Sequence, residues 1–237
     1  VDTTHVYTLD EETTGTAGIY VSSKGDNMIA VTPGANACLT ENHVQQAKEL
    51  IASSDVILVQ LEIPYDTVKA ALSLARLSST RTILNPAPMT ACASDLIALT
   101  DIVTPNETEM ATLCGLDLNQ SRAEGEFEHF SIKEMSNELL AKGVSTVVTT
   151  LGAEGCYIVT NDSSKHVPSH PVRVLDPTGA GDVFNGVLAV AIAEGGSLFD
   201  AAQIAVAAAA LSVEKETVCD AAPTRVEVEK LLNKPPN

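Results

Sequence analysis

Asp176-Pro177-Thr178-Gly179-Ala180-Gly181-Asp182 opens the apolar run Val183-Phe184-Asn185-Gly186-Val187-Leu188-Ala189-Val190, and that order of residue types suits the movement of a phosphoryl group. Small glycines let a backbone approach an anion closely, and a helix that follows aims its first unpaired N–H groups at it. Asp182 falls in the first turn, beside the cradled charge. A carboxylate there is no ligand for a phosphate, but it can take a proton from an incoming hydroxyl. A ligand-free helix start, with a glycine turn and a helix-friendly acid, would use the same residue types. The rest of the chain has to decide.

Four more polar clusters follow apolar, strand-like runs, the place where open α/β sheets bind ligands. They are Leu61-Glu62-Ile63-Pro64, Asn85-Pro86-Ala87-Pro88, Thr104-Pro105-Asn106-Glu107-Thr108-Glu109 and Thr150-Leu151-Gly152-Ala153-Glu154-Gly155. Asn106 and Glu109, three apart at a helix start, share one face and present a carbonyl and a carboxylate. Such oxygens suit Mg²⁺ through retained waters, while a proline-initiated helix with an acidic first turn is the plainer alternative. Gly152 and Gly155 form either a β-turn or a ligand loop, and Glu62 is either a solvated carboxylate or a contact. The five histidines follow no nucleophile motif. Neither G-x-G-x-x-G nor the Walker pattern occurs, which weakens dinucleotide and P-loop readings.

These clusters need a scaffold. Thr16 to Val21 and Asn27 to Val31 alternate with period two around Ser22-Ser23-Lys24-Gly25-Asp26, which predicts a β-hairpin that caps a sheet edge or projects as a second small sheet. From Asn42 the pattern becomes helix and buried strand in alternation. Strands are expected at Val56 to Leu61, Thr82 to Asn85, Asp101 to Thr104 and Thr146 to Thr150, with antiparallel segments at Cys156 to Thr160 and Lys165 to Val167. Helices are expected from a cap at Asp66 through Leu77, and over Asp95 to Leu99, Glu107 to Leu113, Ile132 to Ala141, Gly181 to Ala193, Leu198 to Val213 and Thr224 to Leu232. Alternation of this kind gives a doubly wound, mainly parallel α/β sheet flanked by helices. Ser121 to His129 has the composition of a surface insertion.

The 237 residues, 45% hydrophobic and 19% charged, fit one sizeable globular domain. A net charge of −17 argues against a general polyanion-binding surface, so nucleic acid is not an expected partner. Cys38, Cys92, Cys114, Cys156 and Cys219 are odd in number and scattered, as packing thiols are. No apolar run approaches a membrane span and no secretory signal opens the chain, so a cytoplasmic protein without a membrane partner is expected.

Taken in order, Q-L-E at 60–62, N-P-A-P at 85–88, T-P-N-E-T-E at 104–109, T-L-G-A-E-G at 150–155 and D-P-T-G-A-G-D-V-F-N-G at 176–186 resemble the ribokinase branch of the pfkB carbohydrate kinase family over essentially the whole chain. Gly34-Ala35-Asn36-Ala37 adds to that likeness. The resemblance implies a ribokinase-like α/β sheet with a small β-sheet lid that closes over the sugar and forms a homodimer interface. Residues 1–34 would be a remnant of the lid and residues 35–237 the nucleotide- and sugar-binding domain. The family's first strand and part of its lid would lie outside these residues, so that this chain by itself is expected to fold poorly and turn over slowly. The implied reaction is ATP plus D-ribose to ADP plus ribose 5-phosphate, in the cytoplasm and also the nucleus.

By the same resemblance Asp182 is the base for the sugar's primary hydroxyl, and the N–H groups of Gly179, Ala180 and Gly181 stabilise the transferring phosphoryl group. Asn106 and Glu109 match the N-x-x-E element that organises Mg²⁺ and the phosphates. Thr150, Gly152 and Gly155 match the nucleotide loop, and Glu62 matches a sugar-contacting carboxylate. Asp176 and the carbonyl of Thr178 match part of a site for K⁺, an expected activator. Three positions depart from the family pattern: Val206, where an Asn or His commonly lies near the adenine; Glu214 to Cys219, where a glycine-containing loop completes the K⁺ site; and, more mildly, Pro177. Two alternatives stay open, a nucleotide-binding module without sugar kinase activity, and a kinase for fructose, a nucleoside or another sugar.

Overall fold

In the computed structural model the structure describes residues 2–21, 27–90, 93–116 and 131–234. The expected turn at Ser22 to Asp26, the insertion at Ser121 to His129, and Cys92 lie outside the described residues. Strands β1 (Thr16–Val21) and β2 (Asn27–Thr32) pair antiparallel as a separate two-stranded sheet. The expected hairpin therefore projects as a second small sheet.

The main sheet has six strands in sequential order: β3 (Val56–Val59), β4 (Arg81–Leu84), β5 (Ile102–Val103), β6 (Thr146–Thr150), β7 (Cys156–Thr160) and β8 (Ser164–Val167). The first four run parallel and the last two antiparallel. Helices α1 (Glu41–Gln46) and α2 (Lys48–Ser53) precede β3. Next come α3 (Tyr65–Leu77), α4 (Ala93–Leu96), α5 (Glu107–Leu113) and α6 (Ile132–Ala141). The chain closes with α7 (Ala180–Ala193), α8 (Leu198–Ser212) and α9 (Arg225–Leu232).

Strand residues alternate between two buried layers, which is why the strands carry continuous apolar runs rather than a polar face. Ile83, Ile102 and Val148 pack with Phe184, Leu188 and Ala205 of α7 and α8. Their neighbours Leu84, Val103 and Val147 pack on the opposite face with Leu72, Met110 and Leu139 of α3, α5 and α6. The expected layers are thus present, with the C-terminal helices covering the second face.

The limits of β3, β5 and α3 differ from expectation for local reasons. β3 stops at Val59 because Leu61 leaves the ladder and donates its N–H to the carbonyl of Ala87. β5 shortens to two residues because the Asp101 carboxylate turns back to accept from the N–H and hydroxyl of Thr82. Asp66 is not the cap of α3. Pro64 holds that position, and Asp66 sits in the first turn, where a negative charge opposes the helix dipole favourably.

Candidate active site

The chain reaches α7 through a tight turn built on Asp176. The Thr178 hydroxyl and N–H hold the Asp176 carboxyl below the usual carboxylate range, the N–H bond measuring 2.9 Å. Gly179 caps α7 with φ +79°, a left-handed conformation that favours glycine, and a side chain there would also meet Val218 Cγ1 at 2.9 Å. The Ala180 N–H is partly used, donating at 3.3 Å to the Pro177 carbonyl. Among the described residues, no backbone bond beyond the helix's own claims the N–H of Gly181 or Asp182. Among the described residues, nothing outside its own helix lies within 4 Å of where a Gly181 side chain would begin. The fold places no packing demand for glycine at 181, and a chain packed around an anion would.

Asp182 is exposed in the first turn of α7. Its Oδ1 accepts from Gln60 Nε2 at 2.7 Å, a partner 122 residues away in the chain. Its Oδ2 lies 3.9 Å from the Cβ position of Gly179, so the free oxygen faces the turn. Gln60 Nε2 also approaches Asn85 Oδ1 at 3.4 Å, and Asn85 Nδ2 donates to the Thr104 carbonyl at 3.1 Å. The Thr104 hydroxyl donates to Asn185 Oδ1 at 2.6 Å, and Asn185 Nδ2 donates at 2.9 Å to the Gly181 carbonyl. The ring closes one residue from where it began. Asn85, Thr104 and Asn185 are buried, so breaking a link strands a desolvated polar group at about 1–3 kcal/mol. The sequence singled out neither Gln60 nor Asn185 as a site residue, and only the recurring position of polar residues at strand ends pointed toward them.

Glu62, two residues beyond Gln60, lines a cavity of about 480 Å³ together with Asn36, Pro33, Gly15 and Thr16. The cavity joins the small sheet to the strand ends. It holds one carboxylate and one amide against an otherwise largely apolar lining, which suits a small polyhydroxylated molecule. Asn36 was visible only as part of a resembling string.

Asn106 and Glu109 meet as a capping pair. Asn106 Oδ1 accepts from the Glu109 N–H at 2.8 Å, and Glu109 Oε2 accepts from the Asn106 N–H at 2.8 Å. Their spacing therefore already closes a helix end, and Glu109 Oε1 lies outside the cap. Burial pushes the Glu109 carboxyl up, against the smaller opposing effect of the Asn106 N–H. An oxygen of this kind, with the Asn106 amide beside it, is chemically compatible with a hydrated Mg²⁺. Among the described residues no group of three His, Cys, Asp or Glu converges as a metal cage.

Thr150 is brought beside that element, bridging Asn106 and donating its N–H to Pro105 at 2.9 Å. Gly152, at φ +53°, faces open space, whereas Gly155 is buried and a side chain there would lie 2.1 Å from the Val167 carbonyl. Gly155 is thus held to glycine by packing, and Gly152 by its left-handed backbone alone. Val206 is 3% exposed in the core with Leu188 and Ala202 and offers nothing to a nucleobase. Glu214 through Val218 are exposed, and the Val213 carbonyl accepts from the N–H groups of Leu175 and Asp176, which lays this segment against the turn. Among the thiols, burial pushes Cys114 to about 11 and Cys156 to about 12. Neither is a nucleophile at neutral pH.

The model of the pfkB family carbohydrate kinases matches residues 1–225. The ribokinase of Haemophilus influenzae is 37% identical over 232 residues, covering 98% of this chain and 73% of its own length. The crystal structure of the Thermotoga maritima ribokinase superposes with a TM-score of 0.80 at 34% identity, over 94% of this chain and 71% of that one. The Arabidopsis thaliana ribokinase complexed with ribose and ATP superposes with a TM-score of 0.83 at 28% identity, over 95% and 71%.

Proposed function

The chain belongs to the pfkB family of carbohydrate kinases, and on that premise we propose that it phosphorylates D-ribose at O5, with ATP as donor and ADP and ribose 5-phosphate as products. The observation that carries the reading is the head of α7, where unclaimed N–H groups and a carboxylate oxygen directed at Gly179 share one turn. Positioning and charge stabilisation are what phosphoryl transfer needs from a protein.

The sugar occupies the cavity at Asn36 and Glu62, whose amide and carboxylate fit hydroxyl groups. Asp182 takes the proton from the O5 hydroxyl as O5 bonds to the γ-phosphorus and the bond from that phosphorus to the departing ADP oxygen breaks. The N–H groups of Gly179, Ala180 and Gly181 stabilise charge on the moving group. Thr150, Gly152 and Gly155 border the nucleotide. Asn106 and Glu109 would hold Mg²⁺ through water, and the ion would supply neutralisation of phosphate charge. Asp176 and the Thr178 carbonyl contribute to a K⁺ site, with Glu214 to Thr217 modifying its response.

Residues 1–34 act as lid and residues 35–237 as the catalytic layer, with the small sheet as the homodimer contact. A cytoplasmic setting is in keeping with the thiols of Cys38, Cys114 and Cys156, which are free. No described helix is long and apolar enough to cross a membrane. The test is ADP release from Mg-ATP with ribose, fructose and adenosine in parallel, in K⁺ and in Na⁺. Ribose should give the largest kcat/KM, with faster turnover in K⁺. Equal ADP release with and without any acceptor would remove the sugar kinase reading.

A further inference from the structure

The Asp182 carboxylate stands in an exposed first turn, and a side chain there is free to rotate unless something holds it. We propose that Gln60 is a positioning residue for phosphoryl transfer: its amide fixes one oxygen of Asp182 so that the other faces the phosphate cradle. The inference rests on the kinase reading above.

Two facts support it. The first is directional. The Thr104 carbonyl can only accept, so Asn85 must turn Nδ2 toward it and leaves Oδ1 facing Gln60. Gln60 then lies between two acceptors, Asn85 Oδ1 and Asp182 Oδ1, and only Nε2 with its two hydrogens satisfies both. Flipping the amide would set Oε1 against a carboxylate. The buried end of the ring thus dictates which way Gln60 points.

The second is geometric. With Oδ1 held at 2.7 Å, Oδ2 remains on the Gly179 side, where a proton must be taken. The same ring, through Thr104 and Asn185, ties the Gly181 carbonyl and so orients the first turn that carries the unclaimed N–H groups. One network, buried at Asn85, Thr104 and Asn185, sets both the base and the cradle. The catalytic contact belongs to Asp182, and Gln60 acts through it.

Gln60→Met keeps the length of the side chain and removes the donor. Gln60→Glu keeps its shape and places an anion against Asp182. Each is assayed with ribose and Mg-ATP, alone and combined with Asp182→Asn. Gln60→Met should lower kcat about tenfold or more while both KM values stay within about twofold, and Gln60→Glu should lower it further at pH 7.5. In the Asp182→Asn background neither change should reduce the residual rate more than about twofold, because the group they act through is gone. A raised ribose KM at unchanged kcat, an unaltered kcat in both variants, or the same fold loss in both backgrounds would overturn the inference. Absence of ribose-dependent turnover in the unmutated protein would instead bring down the kinase reading and the inference with it.

Discussion

Helices α5 and α7 both begin at the end of the sheet where Thr104 lies, and they treat their first turns in opposite ways. At α5 the capping pair of Asn106 and Glu109 satisfies its own N–H groups from three residues away. At α7 the cap is Gly179, which has no side chain to offer, and the acid of the first turn is held by a residue 122 positions distant. A helix that spends its polar side chains on its own end is closed. One that leaves N–H groups unclaimed and aims its acid elsewhere is open to a ligand. On the proposed reading the first set stabilises its own helix besides facing Mg²⁺, while the second contributes to turnover alone.

Four substitutions probe that division, in decreasing order of effect. Asp182→Asn should lower kcat at least about 10²-fold, with at most about 1 kcal/mol of stability lost, since a first-turn charge goes but no cap does. Near-normal turnover would remove Asp182 as the base. Gly181→Leu improves helix propensity and its Cβ meets no described atom outside its own helix within 4 Å, so stability should hold or rise while kcat/KM for ATP falls about tenfold. Full activity in that variant would mean that nothing packs against residue 181. Asn106→Ala removes the cap of α5 and should cost about 1 kcal/mol in chemical denaturation even without nucleotide.

The smallest effect concerns pH. Burial raises the folded-state pKa of Glu109 above its unfolded value, so the native protein binds that proton more tightly. Its contribution to stability is present in full below the unfolded pKa and is lost as pH rises through the folded one. With chelator present, the wild type should therefore lose stability relative to Glu109→Gln as pH rises above the ordinary glutamate range. Parallel curves for the two proteins would show that Glu109 ionises without a desolvation cost.

Much of this comparison was legible in the sequence, for reasons of range. α5 at Glu107–Leu113, α6 at Ile132–Ala141 and β6 at Thr146–Thr150 match their expected limits because capping residues and apolar periodicity are local signals. The glycines show where such signals stop. Gly155 and Gly181 look alike in a sequence, yet one is required by the approach of β8 and the other meets nothing among the described residues outside its own helix. Gln60 stands out in the sequence only as the neighbour of Glu62 in Q-L-E, and its hold on Asp182 depends on a loop after β3 meeting a helix that begins 120 residues later. Val206 shows the converse, since resemblance placed it near a nucleobase and packing turns it into the core.

The central claim is that the open end of α7 delivers phosphate to a sugar hydroxyl and not to water. Phosphorus NMR of ribose and Mg-ATP incubated with the protein tests it most directly. The account predicts that ATP loss is matched by phosphate on the primary carbon of ribose. Loss of ATP accompanied only by inorganic phosphate, with no sugar phosphate formed, would contradict it.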